Sequence, residues 1–464
     1  MTLSILLFIL LRMNCRVLIC APTNVAITQV AMHVLKLVKE SSEPGSLSES
    51  PLCSMGNILF MGSDDELEVA SDIEEIYLNY RVQRVLEVLG PLKGLKHCSI
   101  SMIDFLEGCV SQYNIFLDSE LRKEKEESFV KSYSKGQCKT FLEFVRERFG
   151  SIALELKRCI SIFCTHIARS FIKYCNFEAM VSVNKLLDSF ETLLSQNNIV
   201  CEELLNMKRG ECTYILKSLQ FALDELDLPS AMDTSSVKKF CFQTASLIFC
   251  TASSSSNLHS LDMKPLELLV IDDAAQLKEC ELAIPLQLPS LRHAILFGDH
   301  RQLPAIVNSN VSKYSLVIFL RYNMRIPKNC FNYLFLFFHF SMDFMVFVFW
   351  LLQQVSARAG FGRSLFERLS LMGHSKHFLN MQYTMHPLIS SFPNSKFYGN
   401  KIMDAPTVRT NFLKRYLSGQ IFGPYSFINV SCGKEELDGV HHSWKNMVEV
   451  AVIKKLVNNL YKGI

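Results

Sequence analysis

Five short apolar runs that stop abruptly at polar or small residues constrain the fold of this chain most. They are Val17 to Cys20, Leu247 to Cys250, Leu268 to Ile271, Ala294 to Phe297 and Phe427 to Val430. Runs of this length without alternation suit strands buried on both faces, as in a parallel sheet covered by helices. The expected fold class is therefore α/β. In such sheets ligands gather beyond the carboxyl ends of the strands, so the polar residues after each run are where chemistry is sought. At 464 residues and 49% hydrophobic content, the chain is long enough for two or three domains with their own cores.

The net charge of +3 gives no global basic field, so any polyanion partner must be argued from local motifs. The 16 cysteines are spread singly with no CxxC pair. Cys159, Cys164 and His166 come closest to a ligand cluster. Their stretch reads as an apolar helix face and not as a zinc site. Scattered thiols without a framework suit a reducing compartment, nucleus or cytoplasm. The opening run MTLSILLFILLR has no positive charge ahead of it and no small-x-small site behind it. It is expected to be a helix packed on the sheet and not a signal peptide.

Between residues 40 and 240 the pattern turns helical. Glu40 to Pro51 reads as an exit from the sheet domain, and a small β portion is expected near Ile58 to Met61. Asp72 with Glu75 predicts a capping box ahead of a helix that Gly90 ends. Val183, Leu186, Leu187, Phe190, Leu193 and Leu194 share one helical face and are expected to be core. A Phe-rich tract then occupies residues 312–356. It approaches the ~20 residues a membrane span needs. Asn332, His339 and Asp343 interrupt it, and a central Asp costs roughly 2.5–3.5 kcal/mol in a bilayer. A membrane partner is not expected.

Leu268 to Ile271 leads into Asp272 and Asp273, a hydrophobic strand ending in two carboxylates. Such an acid can hold Mg²⁺ on phosphates, and a second can orient and deprotonate an attacking water. Alone, the pattern equally describes a solvated turn. It is not alone. Ala21-Pro22-Thr23-Asn24-Val25-Ala26 stands near the start, and Gly298-Asp299-His300-Arg301-Gln302-Leu303-Pro304-Ala305 follows another apolar run. Gln382 to Pro387, Phe392 to Asn394, Phe397-Tyr398 and Asp404-Ala405-Pro406 come later.

In this order the set resembles the superfamily 1 helicases of the nonsense-mediated-decay and senataxin type, which are AAA-type P-loop NTPases marked by APTNVA, DEAAQ, GDxxQLPA and QYRMHP. The resemblance covers nearly the whole chain except the Phe-rich tract. It implies a RecA-like domain from residues 1–39 and 241–311, a mainly helical accessory insertion at 40–240, and the start of a second RecA-like domain from 357 to 464. It implies ATP and Mg²⁺ as nucleotide and metal, and single-stranded nucleic acid, RNA before DNA, as partner. Pro22, Thr23 and Asn24 would grip the nucleic-acid backbone, with Thr251 and Ser253 as a second contact, chemistry that suits sequence-blind phosphate binding. Asp272 would bind Mg²⁺ and Asp273 would stand for the catalytic Glu. Gln302 would sense the γ-phosphate, supported by Asp299. Gln382 and Tyr383 would face the nucleotide from the second domain.

The departures from that family matter as much. No GxxxxGK[ST] occurs in the sequence, Asp273 replaces Glu, Thr384 replaces the Arg of QYRMHP, and the sequence ends at Lys462-Gly463-Ile464, before the family's later motifs. Residues 312–356 are expected to be unselected sequence, as of a translated intron, between two stretches of clean family pattern. Two functions stay open: an ATP-dependent helicase or translocase whose hydrolysis these 464 residues do not support alone, and a non-catalytic nucleic-acid- or partner-binding remnant.

Overall fold

The computed structural model describes residues 2–41, 55–62, 71–127, 139–195, 202–305, 360–411, 427–437 and 444–463. The chain divides into two compact units, Met1–Leu369 and Ser370–Ile464.

The first unit is built on a five-stranded sheet of β1 (Val17–Ala21), β2 (Ile58–Phe60), β3 (Leu247–Thr251), β4 (Leu268–Ile271) and β5 (His293–Leu296), in the order β2-β3-β1-β4-β5. Every pairing is parallel. Cys20 lies opposite Cys250 on one side and Ile271 on the other. Strands β1 to β3 are buried along their whole length, as continuous apolar runs require when helices cover both faces. β5 departs from that expectation: it is the sheet edge, and His293 and Ala294 are exposed. The Ile58 segment is more than a β portion of the insertion, because β2 closes the opposite edge of the central sheet.

One face is covered by α1 (Thr2–Arg12) and α2 (Asn24–Ser41), whose Leu7, Leu11, Ile27 and Val34 pack on Val17, Ile19, Phe249 and Val270. Each such side chain contributes about 1.5–3 kcal/mol by leaving water. The opening apolar run is thus a sheet-packed helix. It ends at Asn14, whose φ of 56° suits an asparagine at the position after a helix, with Cys15 N–H returning to Leu10 O at 3.0 Å.

The other face carries α3 (Leu78–Leu89) and α8 (Thr234–Thr244). Between them rises a layer of α4 (Leu95–Glu127), α5 (Phe141–His166), α6 (Tyr174–Ser195) and α7 (Glu202–Asp224). Val183, Leu187, Phe190 and Leu194 are buried as the periodicity predicts, while Leu186 and Leu193 lie at the margin. The α-helix starts later than the Asp72 and Glu75 pattern predicts. Residues Ser71–Ile76 make a 3₁₀ turn, α3 starts after Tyr77, and Gly90 does cap its end. Tyr77, the residue at which the helix begins, stacks on Phe60 at 5.0 Å and so anchors the helix start to the sheet edge.

Arg81 of α3 joins sheet and helices. It is fully buried and donates to Ile58 O at 3.1 Å, His166 O at 3.1 Å and Thr244 Oγ1 at 3.5 Å. The guanidinium therefore covers the outer carbonyl of an edge strand and the carboxyl ends of two helices, all sites of partial negative charge.

After α9 (Glu279–Leu286), α10 (Leu365–Leu371) leads out of the first unit; Arg368 holds Glu279 with Nε–Oε2 at 2.9 Å and Nη2–Oε1 at 2.6 Å. The second unit contains β6 (Met381–Gln382) parallel to β7 (Met403–Asp404), with α11 (Pro387–Phe397) between them. α12 (Pro406–Asn411), the antiparallel pair β8 (Glu436–Leu437) and β9 (Trp444–Lys445), and α13 (Met447–Gly463) follow. The run Phe427 to Val430 is not a strand. Phe427 is 87% exposed, and Val430 O accepts from Gly433 N–H in a turn, so the segment pairs with no described strand. Among the described residues no helix is long and apolar enough to cross a membrane. The Phe-rich tract 312–356 lies outside the described residues.

Candidate functional site

Parallel pairing carries the ends of β1, β3, β4 and β5 to one edge of the sheet. β1 and β4 are neighbours, and the chain leaves them toward opposite sides, β1 toward β2 and β4 toward β5. This is the switch point at which open α/β sheets form a crevice.

Ala21 ends β1 beside Thr251, the end of β3. Ala252 N–H donates to Ala21 O at 3.1 Å, which ties the Pro22–Asn24 loop to the Thr251–Ser253 loop. Thr23 Oγ1 accepts from Ala26 N–H at 3.2 Å, capping the first turn of α2 while the residue stays exposed. Thr251 Oγ1 lies 3.2 Å from Ser253 Oγ, donates to Ser254 Oγ at 2.8 Å and accepts from Ser254 N–H at 3.2 Å. Thr251 is buried and shapes its loop; Ser253 is exposed at its tip.

On the other side of β1, Asp272 N–H donates to Cys20 O at 2.8 Å. Asp272 thus follows the end of β4 beside the chain that leads from β1 into the Pro22 loop. Burial, then the neighbouring Asp273 carboxylate, holds Asp272 above the usual carboxylate range. Burial raises Asp273 as well. Asp273 has φ 48° and ψ 37°, the left-handed region that Asp tolerates better than longer side chains do.

The next loop locks onto this one. Ala274 N–H donates to Phe297 O at 2.7 Å. A Cβ on Gly298 would stand 2.9 Å from Ala275 N, so only glycine allows this approach. Asp299 then accepts from Arg301 N–H at 2.9 Å through Oδ1 and from Gln302 Nε2 at 3.0 Å through Oδ2, leaving Gln302 exposed but held. The structure thereby brings Pro22, Thr23, Asn24, Thr251, Ser253, Asp272, Asp273, Asp299 and Gln302 to one edge.

Gln382 and Tyr383 belong to the second unit. The Gln382 side chain is a loop clamp: Nε2 donates to Met385 O at 2.7 Å and Asp404 Oδ1 at 2.6 Å, and Oε1 accepts from Thr384 N–H at 3.1 Å and Met385 N–H at 2.8 Å. Ser390 Oγ also donates to Asp404, at 3.3 Å. Sequence reasoning passed over Asp404 as the partner of Gln382, although the Asp-Ala-Pro run was its signal. Tyr383 is half exposed.

The donor chemistry at the first edge fits a hard divalent cation: a carboxylate oxygen, partly withdrawn from water and crowded by a second acid, gains from a positive charge. Cys159 and Cys164 face other sulfurs instead, Cys159 opposite Cys98 at 3.9 Å and Cys164 opposite Met180 at 3.6 Å.

A central parallel sheet with helices on both faces and an acid pair at its carboxyl edge defines a RecA-like P-loop NTPase fold. Two family models, each described as an AAA domain, match residues 11–310 and 361–464. The probable helicase MAGATAMA 3 of Arabidopsis thaliana is 27% identical over 49% of this chain and 23% of its own length. The regulator of nonsense transcripts 1 homolog of the same plant is 27% identical over 48% of the chain and 14% of its own length. Helicase SEN1 of Saccharomyces cerevisiae is 25% identical over 56% of the chain and 10% of its own length. The matched region thus spans less than a quarter of each of these relatives. The chain belongs to the AAA-domain family of superfamily 1 helicases of the nonsense-mediated-decay and senataxin type.

Proposed function

We propose that this chain carries the nucleic-acid-gripping and metal-holding loops of an ATP-dependent helicase or translocase acting on single-stranded nucleic acid, RNA in preference to DNA. In the same proposal these 464 residues do not turn over ATP by themselves, and their place of action is nucleus or cytoplasm. The observation that carries the reading is the junction of loops at one sheet edge, where Asp272 N–H meets Cys20 O at 2.8 Å and Ala252 N–H meets Ala21 O at 3.1 Å.

In this reading Asp272 holds Mg²⁺, which when bound neutralises charge on the nucleotide phosphates. Asp273, raised by burial, accepts a proton from the attacking water. Asp299 positions Gln302 toward the terminal phosphate. Thr23, Ser253 and the amides of both loops contact phosphates, with Pro22, Asn24 and Thr251 setting the loop shape. Gln382 and Tyr383 belong to the segment that the family resemblance assigns to nucleotide contact, and the Gln382 side chain holds the loop that carries Tyr383. The domain limits that accompany this are 1–39 with 241–311, an accessory insertion at 40–240 that lends strand β2 (Ile58–Phe60) to the sheet, an unselected tract at 312–356, and a second domain from 357. The sequence contains no GxxxxGK[ST], the nest of backbone N–H groups and Lys that organises ATP phosphates. That favours the second reading, a non-catalytic nucleic-acid- or partner-binding remnant, for the 464 residues tested alone.

Binding of labelled single-stranded RNA and DNA, followed by anisotropy across a salt series, tests the proposal. The expected result is weak binding, RNA tighter than DNA, with affinity falling by a log–log slope of about 0.7 per phosphate contact. Nanomolar RNA binding at physiological salt, or affinity independent of salt, would contradict it.

A further inference from the structure

Four segments leave the carboxyl edge of the sheet: 22–23 after β1, 252–260 after β3, 272–278 after β4 and 297–305 after β5. An edge that holds phosphates gains from cations, and these segments contain two Lys or Arg residues, Lys278 and Arg301. Lys278 is already engaged. Its Nζ lies 3.0 Å from Glu281 Oε1, and its side chain is only 17% exposed. Arg301 is exposed, and among the described residues its guanidinium has no acceptor partner. We propose that Arg301 is a phosphate-binding residue that takes the polyphosphate chain of a magnesium-complexed ligand; this rests on the reading of Asp272 as the metal-holding acid.

Three observations support the assignment. First, the loop around Arg301 is held. Asp299 accepts from Arg301 N–H through Oδ1 at 2.9 Å and from Gln302 Nε2 through Oδ2 at 3.0 Å. Both carboxylate oxygens thus bind the loop, and neither bonds to the guanidinium. Second, this loop is packed on the one that carries Asp272 and Asp273. Ala274 N–H donates to Phe297 O at 2.7 Å, and the backbone of Gly298 lies so near Ala275 that a Cβ would stand 2.9 Å from its nitrogen.

Third, the sheet order separates two kinds of phosphate. β5 is the direct neighbour of β4, the second strand from β1 and the third from β3. At about 4.8 Å per strand, the Arg301 segment starts about 5 Å from that of Asp272 and about 14 Å from that of Ser253. This favours a polyphosphate beside Asp272 over a nucleic-acid backbone lying on the Pro22–Asn24 and Thr251–Ser253 loops. The planar guanidinium fork matches phosphate oxygens in pairs, which the single ammonium of a lysine does not. Its contact is to phosphate oxygen alone, so the base is not read and inorganic tripolyphosphate is a sufficient probe.

An exposed arginine with no such role would act only through diffuse charge. Arg292 measures that effect. It is exposed just ahead of β5, at the opposite end of the same strand, with its N–H on Glu267 O at 2.9 Å.

The test is a ³¹P NMR titration of inorganic tripolyphosphate with the 464-residue chain, with and without Mg²⁺, beside single-stranded RNA binding by anisotropy. The expected result is weak, saturable, Mg²⁺-dependent binding that R301Q weakens at least about tenfold, the loss of one charge-assisted contact. R301K should fall between parent and R301Q, and R292Q should stay within about twofold of the parent because screening leaves a remote charge little effect. RNA affinity should change by no more than about twofold in R301Q. D272N should remove the Mg²⁺ dependence. R301Q binding tripolyphosphate like the parent, R292Q losing as much as R301Q, or R301Q losing RNA and not tripolyphosphate would each overturn the assignment. If D272N alone lost binding, Arg301 would be excluded and the Asp272 reading would stand; if the parent chain showed no Mg²⁺-dependent binding, both would fall.

Discussion

Replacing Arg81 by Met tests whether the helical layer is fastened to the sheet through one buried guanidinium. Met preserves most of the side-chain volume and removes every donor. Ile58 O loses its 3.1 Å partner at the edge of β2, and His166 O loses its own at the end of α5. A buried acceptor left bare costs about 1–3 kcal/mol, so two cost roughly 2–6 kcal/mol. Against this stands relief from burying a cation whose hydrogen bonds go to carbonyl and hydroxyl oxygens, with no carboxylate partner among the described residues. Burial already lowers the Arg81 pKa, and exchanging a buried charge for an apolar side chain recovers about 1–4 kcal/mol in known cases. Taking the middle of each range, about 4 against about 2.5, the balance is a net loss of about 1.5 kcal/mol. Urea unfolding followed by circular dichroism is the assay, with R81K as companion, since one ammonium can replace one of the two lost carbonyl bonds. R81M as stable as the parent chain within about 0.5 kcal/mol would refute the reasoning.

Further outcomes follow from the same structure. His166 sits beside Arg81 and Arg84, and burial, then those cations, push it down to about 4. Its neutral form stabilises the fold fully above the unfolded value near 6.5, and that contribution, at most about 3 kcal/mol, is lost as pH falls toward about 4; H166Q should flatten the slope of unfolding free energy between those pH values. Asp272 and Asp273 are raised, so their contribution is present at acid pH and lost as pH rises through their folded values; D272N should therefore raise the melting temperature at neutral pH by calorimetry. G298A places a Cβ 2.9 Å from Ala275 N, and thermal unfolding should show a loss of about 1–3 kcal/mol. Deleting residues 312–356 should raise soluble yield, because a Phe-rich stretch of this length is an aggregation liability wherever it meets water; lost soluble expression would make the tract structural.

Three of the five apolar runs were legible as strands because burial on both faces leaves a run without alternation, and Val17 to Cys20 is the clearest case; Ala294 to Phe297 is a strand too, but an exposed one at the sheet edge. Phe427 to Val430 has the same look and forms no strand, since a run of four apolar residues carries no information about whether an edge exists to receive it. The loops of the site were legible through their motifs, and parallel pairing then brings them together. What stayed hidden was contact between distant residues. Nothing local in Arg81 announces a buried guanidinium, because its partners at Ile58, His166 and Thr244 are far apart in the chain. The later start of α3 has a similar origin: Tyr77, at that start, stacks on Phe60, and that contact belongs to tertiary structure.

The central claim, that Asp272 stands at a nucleotide edge that these 464 residues do not complete, is tested most directly by phosphate release from ATP with and without single-stranded RNA. The comparison is between the chain, its D272A variant, and a version given an N-terminal GxxxxGK[ST] segment, T384R and a full second RecA-like domain. The account predicts no RNA-stimulated release from the chain itself, and release from the completed version that D272A abolishes. A single arginine at the transition state is worth about 10³–10⁵ in rate, so the gap should be unmistakable. RNA-stimulated release from the unaltered chain that disappears in D272A would contradict the account.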